Sequence, residues 1–565
     1  MYRKKWMKMT AVLLGISMVI PMAGCSEQEQ ENPEDGKTEM SAETEDENFD
    51  PMAKYEEPIT VTTVVGLSDI MQQLLGIQED VDTNNSWYNG YKEDLGIEVE
   101  NVWSVPGTQY EQKLNAAISA DDLPDVFQVS QEQLKTLIDN GMAMDLTEVF
   151  EKYATDFTMQ MMEDDGYVAL DQCKVDGRLY ALPNVSGNYD NVPIMWVRSD
   201  WMKQLGKEVP TTLEELENLA LEFSNEDPDG NGQDDTYGIA LTNQLYNDGL
   251  SSMTGIMEIF GAHNGWVDVD GKAEFGLIQP EVKNALESMH EWYENGILDQ
   301  EFVAKDSNKV AEDIVAGKVG ITFGGHANAF WPFPDAKKLN PDAEWRPFPI
   351  PGLDDNLPEV MVGSSAVTYY AVNANCEHPE AIVKMYNYFY QKDCALSPDY
   401  DEKYHITGDQ TAHPDWAMDW AVLKSFYPKQ NLFIYNGVKS YLEGDESQMG
   451  NAWVSSNVEQ ITAYMEDPKE NAAWWSTYIW SGPEGAFSVV DSYDKNNQRL
   501  QNLYIYGNTD GMAMYNVTLE QLIMETYTKI ITGEKESSSF EDFVEEWKSL
   551  GGDQITQEVN DFIGR

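Results

Sequence analysis

The chain has 565 residues, 42% of them hydrophobic and 11% aromatic, which makes it globular rather than disordered and long enough for two lobes or more. Its formal charge of −63 argues against nucleic acid, whose phosphates need a basic surface, and against adhesion to anionic lipid. Such acidity suits an extracellular protein that must stay soluble, and it makes cations ready partners.

The N-terminus carries a compartment signal. Arg3, Lys4, Lys5 and Lys8 precede an apolar run over residues 10–23, short for a membrane span. The run ends in Met22-Ala-Gly-Cys25, small residues before a cysteine, as in a bacterial lipobox. On that reading residues 1–24 are a lipoprotein signal peptide, and lipid on Cys25 anchors the chain to the extracellular face of the cell membrane. An ordinary secretory signal with a chance cysteine is the alternative. Residues 25–57 hold Glu, Asp, Ser, Thr, Pro and Asn with almost nothing to bury, the composition of an extended acidic tether. No later stretch offers the roughly 18 apolar residues of a spanning helix. Cys173, Cys376 and Cys394 remain, an odd set: a Cys376–Cys394 bridge and plain buried thiols both fit.

The fold is expected to begin near Pro58. Ile59-Thr-Val-Thr-Thr-Val-Val65 is a β-rich run ending at Gly66. A helical stretch through Trp87 and Tyr88 leads to a second strand over 95–102. An amphipathic helix over 110–118 then leads to a third strand over 122–129, after a proline-marked turn. This strand–helix alternation predicts a parallel α/β sheet, with ligands beyond the carboxyl ends of its strands. Gly66, residues 105–108 and residues 128–130 are the loops at that edge.

Here the sequence resembles the substrate-binding lipoproteins of ATP-binding-cassette importers, in particular the large extracellular oligosaccharide-binding branch. The likeness is carried by Tyr110-x-x-Lys-Leu with Asp122-Leu-Pro-Asp-Val126, by Asp176-Gly-Arg-Leu-Tyr-Ala-Leu-Pro183, and by Trp196-Val-Arg-Ser-Asp-Trp-Met-Lys-Gln-Leu-Gly206 with Val209-Pro-Thr-Thr-Leu-Glu-Glu-Leu216. At the end, Glu541-Asp-Phe-Val, Trp547-Lys-Ser-Leu-Gly-Gly552 and Glu558-Val-Asn560 look like the branch's terminal helix and tail. The resemblance implies a bilobal periplasmic-binding-protein-like fold of type II, two α/β lobes joined by hinge crossings near Trp196, near Tyr370 and once more later. It places residues 58–195 and 371–450 in the first lobe and 196–370 and 451–565 in the second. It also implies a monomer that hands a carbohydrate to a permease.

Pro210-Thr-Thr-Leu-Glu-Glu begins a helix, with Thr211 or Thr212 as N-cap and Glu214 or Glu215 as its partner. That helix leads into residues 227–238, where Asp227, Asp229, Asn231 and Asp235 stand at positions 1, 3, 5 and 9 of a calcium loop. Gln233 supplies the carbonyl at position 7 and Gly232 the tight turn at position 6. Position 12 carries Gly238 in place of the usual Glu, and a polar turn is the blander reading. The loop joins a helix to a strand over 237–242, so the expected calcium is structural.

Residues 318–325 form a short buried strand ending in glycines, which would let a ligand approach the backbone. His326, Asn328, Phe330 and Trp331 follow, and in maltose-binding relatives a similarly placed aromatic loop stacks on sugar faces. The resemblance implies that role for Trp331 and Phe330; packing on a lobe surface is the alternative. A strand over 365–372 and a helix over 379–386 return the chain to the first lobe. In residues 472–480 a helical periodicity puts Trp474, Tyr478 and Ser481 on one face with Trp475 offset, after Tyr435 and Trp453. Indoles stack on the apolar faces of sugars, so Trp474 and Trp475 join the candidate ligand contacts, with Trp103, Asn184 and Trp196 completing the set.

The sequence has no Gly-x-Ser-x-Gly elbow, zinc helix or phosphate loop. A glycosidase needs only two carboxylates across a cleft, so a lipid-anchored polysaccharide-degrading enzyme stands as an alternative to a binder. A peptide-binding or sensing surface lipoprotein is another.

Overall fold

The computed structural model describes residues 49–164, 166–186, 190–354, 356–364, 366–394, 396–405 and 417–565. Cys25, the signal peptide and the tether up to residue 48 lie outside the described residues.

Ile59–Leu67 (β1) and Ile97–Pro106 (β2) pair in parallel, with Ile59 opposite Ile97 and Leu67 opposite Pro106. Val126–Val129 (β3) is tied to β1 by threonine side chains and not by a backbone ladder. Thr62 Oγ1 donates to Asp125 Oδ2 at 2.7 Å, and Thr63 Oγ1 donates to Val126 O at 2.9 Å. The strand–helix–strand order expected there is present, but the third strand belongs to another sheet. Ala181–Val185 (β4) is the last strand before the chain leaves this half.

Ile194–Arg198 (β5) opens the second half and is buried at every residue. Leu213–Asn225 (α1) is capped as its sequence predicts: Thr212 Oγ1 accepts from Glu215 N, and Glu215 Oε2 accepts from Thr211 N. Tyr237–Ile239 (β6), Val319–Gly324 (β7) and Trp345–Phe348 (β8) join β5 in a sheet of order β8-β5-β7-β6. The β7–β6 pair is parallel, and β5 runs antiparallel to both its neighbours. Val360–Val362 (β9) leads to Ala366–Val372 (β10), which lies between β3 and β4 and antiparallel to both. Ala452–Glu466 (α2) and Trp475–Ser481 (α3) follow, and Arg499–Gln501 (β11) pairs with β9 in parallel.

The buried residues form two large cores. One runs from Val61 to Val185 and from Ala366 to Leu423; the other runs from Val192 to Val362 and from Leu432 to Val559. A small satellite cluster of Val438, Val454, Val458 and Ile461 lies under α2. The chain therefore changes core between Val185 and Val192, between Val362 and Ala366, and between Leu423 and Leu432. Trp196 and Tyr370 stand a few residues inside strands, within the second and first cores respectively. Leu432 and Tyr435, expected in the first lobe, are buried in the second core, because their helix packs beside α2. Cys173, Cys376 and Cys394 are free, buried thiols. Among the described residues no helix is long and apolar enough to cross a membrane.

Candidate ligand-binding site

The expected loops at the strand ends do meet cavities. In the first half, Gly66 after β1 and Gln128 in β3 line a small recess of about 130 Å³, together with Tyr110, Tyr370 and Lys424. Lys424 Nζ lies 3.0 Å from Asp419 Oδ1 in the same wall. In the second half, Gly324 and Gly325 at the end of β7 line a recess of about 260 Å³ with Asn191, Asp248 and Asn264. The two glycines serve packing. A Cβ on Gly324 would come 2.4 Å from Leu250 O, and one on Gly325 would come 2.2 Å from Asn191 Oδ1. At Gly324 the contact is with backbone, and at Gly325 with the end of a side chain.

A third cavity, of about 370 Å³, takes its walls from both halves. Phe330 reaches it from the turn after β7, Trp453, Asn457 and Gln460 from α2, and Thr477 and Trp480 from α3. Tyr400, Glu402 and His405 face them from the segment that follows the first core's last long helix. Trp453 and the His405 ring meet with centroids 3.8 Å apart. His405 Nδ1 lies 2.9 Å from Asp393 Oδ1, which fixes the ring's orientation. Thr477 Oγ1 donates to Gln460 Oε1 at 2.7 Å, and Asn457 Nδ2 donates to Trp453 O at 2.9 Å. Trp453 Nε1 and Asn457 Oδ1 are covered and have no hydrogen-bond partner among the described residues. The wall is thus aromatic rings set among amides and hydroxyls, the combination that suits a molecule with apolar faces and a hydroxylated rim.

The candidate residues divide. Phe330 and Trp331 are 51% and 44% exposed, and the Phe330 ring meets Trp480 edge-on at 5.5 Å. His326 Nδ1 accepts from Trp480 Nε1 at 3.1 Å, and burial pulls its pKa down to about 4, so the ring is neutral and orients the indole. Trp474 is 37% exposed and stands outside these cavities. Trp103 has one face covered by Lys113, whose Nζ lies 4.6 Å from the ring centroid. Asn184 is nearly buried and donates to Thr368 Oγ1 at 3.0 Å.

Trp196, Asn328 and Trp475 are corrected to interior residues. Trp196 is wholly buried against Phe333 and donates to Gly325 O; Asn328 is buried and donates to Leu250 O. Trp475 is buried and donates to Glu344 Oε2 at 3.2 Å. The predicted helix over 472–480 is a short 3-10 turn followed by α3, so the face turns and Trp475 and Ile479 go inward. Trp480, Tyr400, Glu402, His405, Gln460 and Thr477 were not among the candidates. One signal was legible: Trp453, Ser456, Asn457 and Gln460 recur at helical spacing and form one face of α2.

The acidic loop after α1 has Asp227, Gly230 and Gly232 in left-handed conformations, at φ 46°, 70° and 79°. Asp227 Oδ2 accepts from Gly232 N at 3.0 Å, while Asn231 Nδ2 donates to Asp229 Oδ2 at 2.7 Å and to Asp235 Oδ1 at 3.1 Å. Burial, with the Asp227 and Asp235 carboxylates beside it, raises the Asp229 pKa against a backbone hydrogen bond from Asn231. Asp227 Oδ1 is buried and has no hydrogen-bond partner among the described residues. These are hard oxygens, the donor type that a cation such as calcium takes, here bridged by the Asn231 amide. Among the described residues no three His, Cys, Asp or Glu side chains are placed to hold a metal as they stand. Gly238, at position 12, lies in β6, where a Cβ would come 2.4 Å from Ala220 O, so a glutamate has no room there.

The sequence profile described as bacterial extracellular solute-binding protein matches residues 71–393. Lipoprotein LipO of Bacillus subtilis is 23% identical over 99% of this chain and 98% of its own length. The solved structure of alginate-binding protein AlgQ2 without calcium ion superposes with a TM-score of 0.55 at 14% identity, covering 90% of this chain and 99% of that one. That of the S. pneumoniae ABC-transporter substrate-binding protein FusA in complex with kestose gives 0.54 at 16% identity, with the same coverage. These two likenesses show the fold: a mixed α/β solute-binding-protein fold.

Proposed function

The chain belongs to the bacterial extracellular solute-binding proteins, non-enzymatic components of transport, and we propose that it captures an oligosaccharide between its two lobes for delivery to an ATP-binding-cassette permease. The observation that carries this reading is the cavity of about 370 Å³ whose Phe330, Trp453 and Trp480 rings stand among Asn457, Gln460 and Thr477, opposite Tyr400 and His405. Aromatic faces stack on the C–H faces of sugar rings while amides and hydroxyls meet the hydroxyl groups. The lobes are the parts built on the two cores, and the chain crosses between them three times, between Val185 and Val192, between Val362 and Ala366, and between Leu423 and Leu432. Ligand bound to both walls favours the closed arrangement, which the permease recognises. Lipid on Cys25 and the tether after it hold the receptor at the cell's outer face, in keeping with LipO's being a lipoprotein.

Calcium, when bound, neutralises the acidic loop and fixes the connection between α1 and β6. The oxygens of Asp227, Asp229, Asn231 and Asp235 and the Gln233 carbonyl would hold it, once the Asn231 amide turns its oxygen inward. Isothermal titration against a glycan panel and a peptide panel tests the ligand class. Binding of an oligosaccharide is expected, and tight binding of peptides alone would overturn the carbohydrate reading.

A further inference from the structure

We infer that the ligand is an oligosaccharide without carboxylates and not a polyuronate, an inference that rests on reading these cavity walls as the binding surface. Chains of this fold take sugars of both kinds, to judge by the alginate-binding and kestose-bound proteins, so the fold leaves the choice to the side chains.

Across the two recesses and the larger cavity, Lys424 is the one lysine or arginine among the described lining residues, and Asp419 already holds it at 3.0 Å. The internal residues outside the described ones, 165, 187–189, 355, 365, 395 and 406–416, include neither lysine nor arginine. Among the described residues, His326 and His405 add no free cation: the His326 ring accepts from Trp480, and His405 is paired with Asp393. The acids point the same way. Glu402 stands exposed on the wall of the larger cavity, and Asp248 in the second recess accepts from Leu250 N and Ser251 N. A sugar carboxylate brought into such a site loses its water and meets no guanidinium fork or ammonium in exchange. The whole-chain charge of −63 repels it from a distance as well. A neutral sugar meets neither cost, and its hydroxyls can meet the Gln460 amide and the Thr477 hydroxyl on the wall.

The test is isothermal titration of the full chain with neutral fructo-, gluco-, galacto- and xylo-oligosaccharides, oligogalacturonates, alginate oligosaccharides and chitosan oligosaccharides. Each is measured at about 0.05 and about 0.5 M salt, where screening differs strongly. A neutral oligosaccharide is expected to bind with affinity that changes less than about two-fold between the salts, and uronates at least about 100-fold more weakly. In Gln460→Lys, which places an ammonium on the wall, the gap between neutral and uronate ligands is expected to narrow. A uronate bound as tightly as any neutral sugar overturns the inference and leaves the carbohydrate reading standing. Binding of none of these sugars overturns both.

Discussion

Trp453 joins the two walls of the cavity: its ring lies on His405 from the opposite half, and its helix presents Asn457 and Gln460 beside it. An indole stacked on a sugar contributes about 1 kcal/mol or more, so Trp453→Ala is expected to weaken oligosaccharide binding roughly five-fold or more. Thermal unfolding should change little, and an unchanged affinity in titration would remove Trp453 from the site. His326 sets a pH dependence. Its folded pKa of about 4 lies below the ordinary histidine value near 6.5, so the unfolded chain takes up the proton first as pH falls. The contribution is whole above about pH 6.5 and is lost as pH falls toward about 4. His326→Gln should therefore lose less melting temperature than the native chain between about pH 7 and about pH 5; equal losses contradict this. Gly238→Glu would complete the calcium motif on paper. With Ala220 O in the way of its Cβ, it is expected to cost about 2–4 kcal/mol in denaturant unfolding. A gain in calcium affinity without loss of stability would refute that steric argument.

Elements were legible where the forces that make them are local. The capped start of α1 follows from Thr212 and Glu215 alone, and the left-handed turns of the acidic loop follow from its glycines. The end of β7 was legible as a glycine-ended buried strand, but the reason for the glycines, contacts with Leu250 and Asn191, lies in distant chain. The same limit explains the tryptophans. Trp196, Trp475 and Trp480 look alike in sequence; a core strand buries the first, the short turn before α3 sends the second inward, and the third is left beside the cavity. The acidic loop connects α1 to β6 in the second half, and none of its residues lines the interlobe cavity. Chelation is accordingly expected to lower the melting temperature while leaving sugar affinity at low temperature largely intact. Loss of binding by a chain that is still folded would contradict a purely structural calcium.

At the scale of the molecule, two halves each with a core follow from length and strand–helix alternation, and the order of the motifs points to the family. The crossings were harder to place. β5 is buried at every residue and Tyr369, Tyr370, Ala371 and Val372 of β10 are buried too, so Trp196 and Tyr370 give no local sign that the change of core lies a few residues earlier. A hinge at those crossings is expected to make the radius of gyration in solution scattering fall when the cognate sugar is added, and an unchanged value would argue against closure. The most direct measurement of the central claim is mass-spectrometric identification of the compound retained when the full chain and its Trp453→Ala variant are incubated with a mixed glycan and peptide hydrolysate. A neutral oligosaccharide held by the native chain and lost from the variant is the expected result. A retained peptide, or a sugar held equally by both, would contradict it.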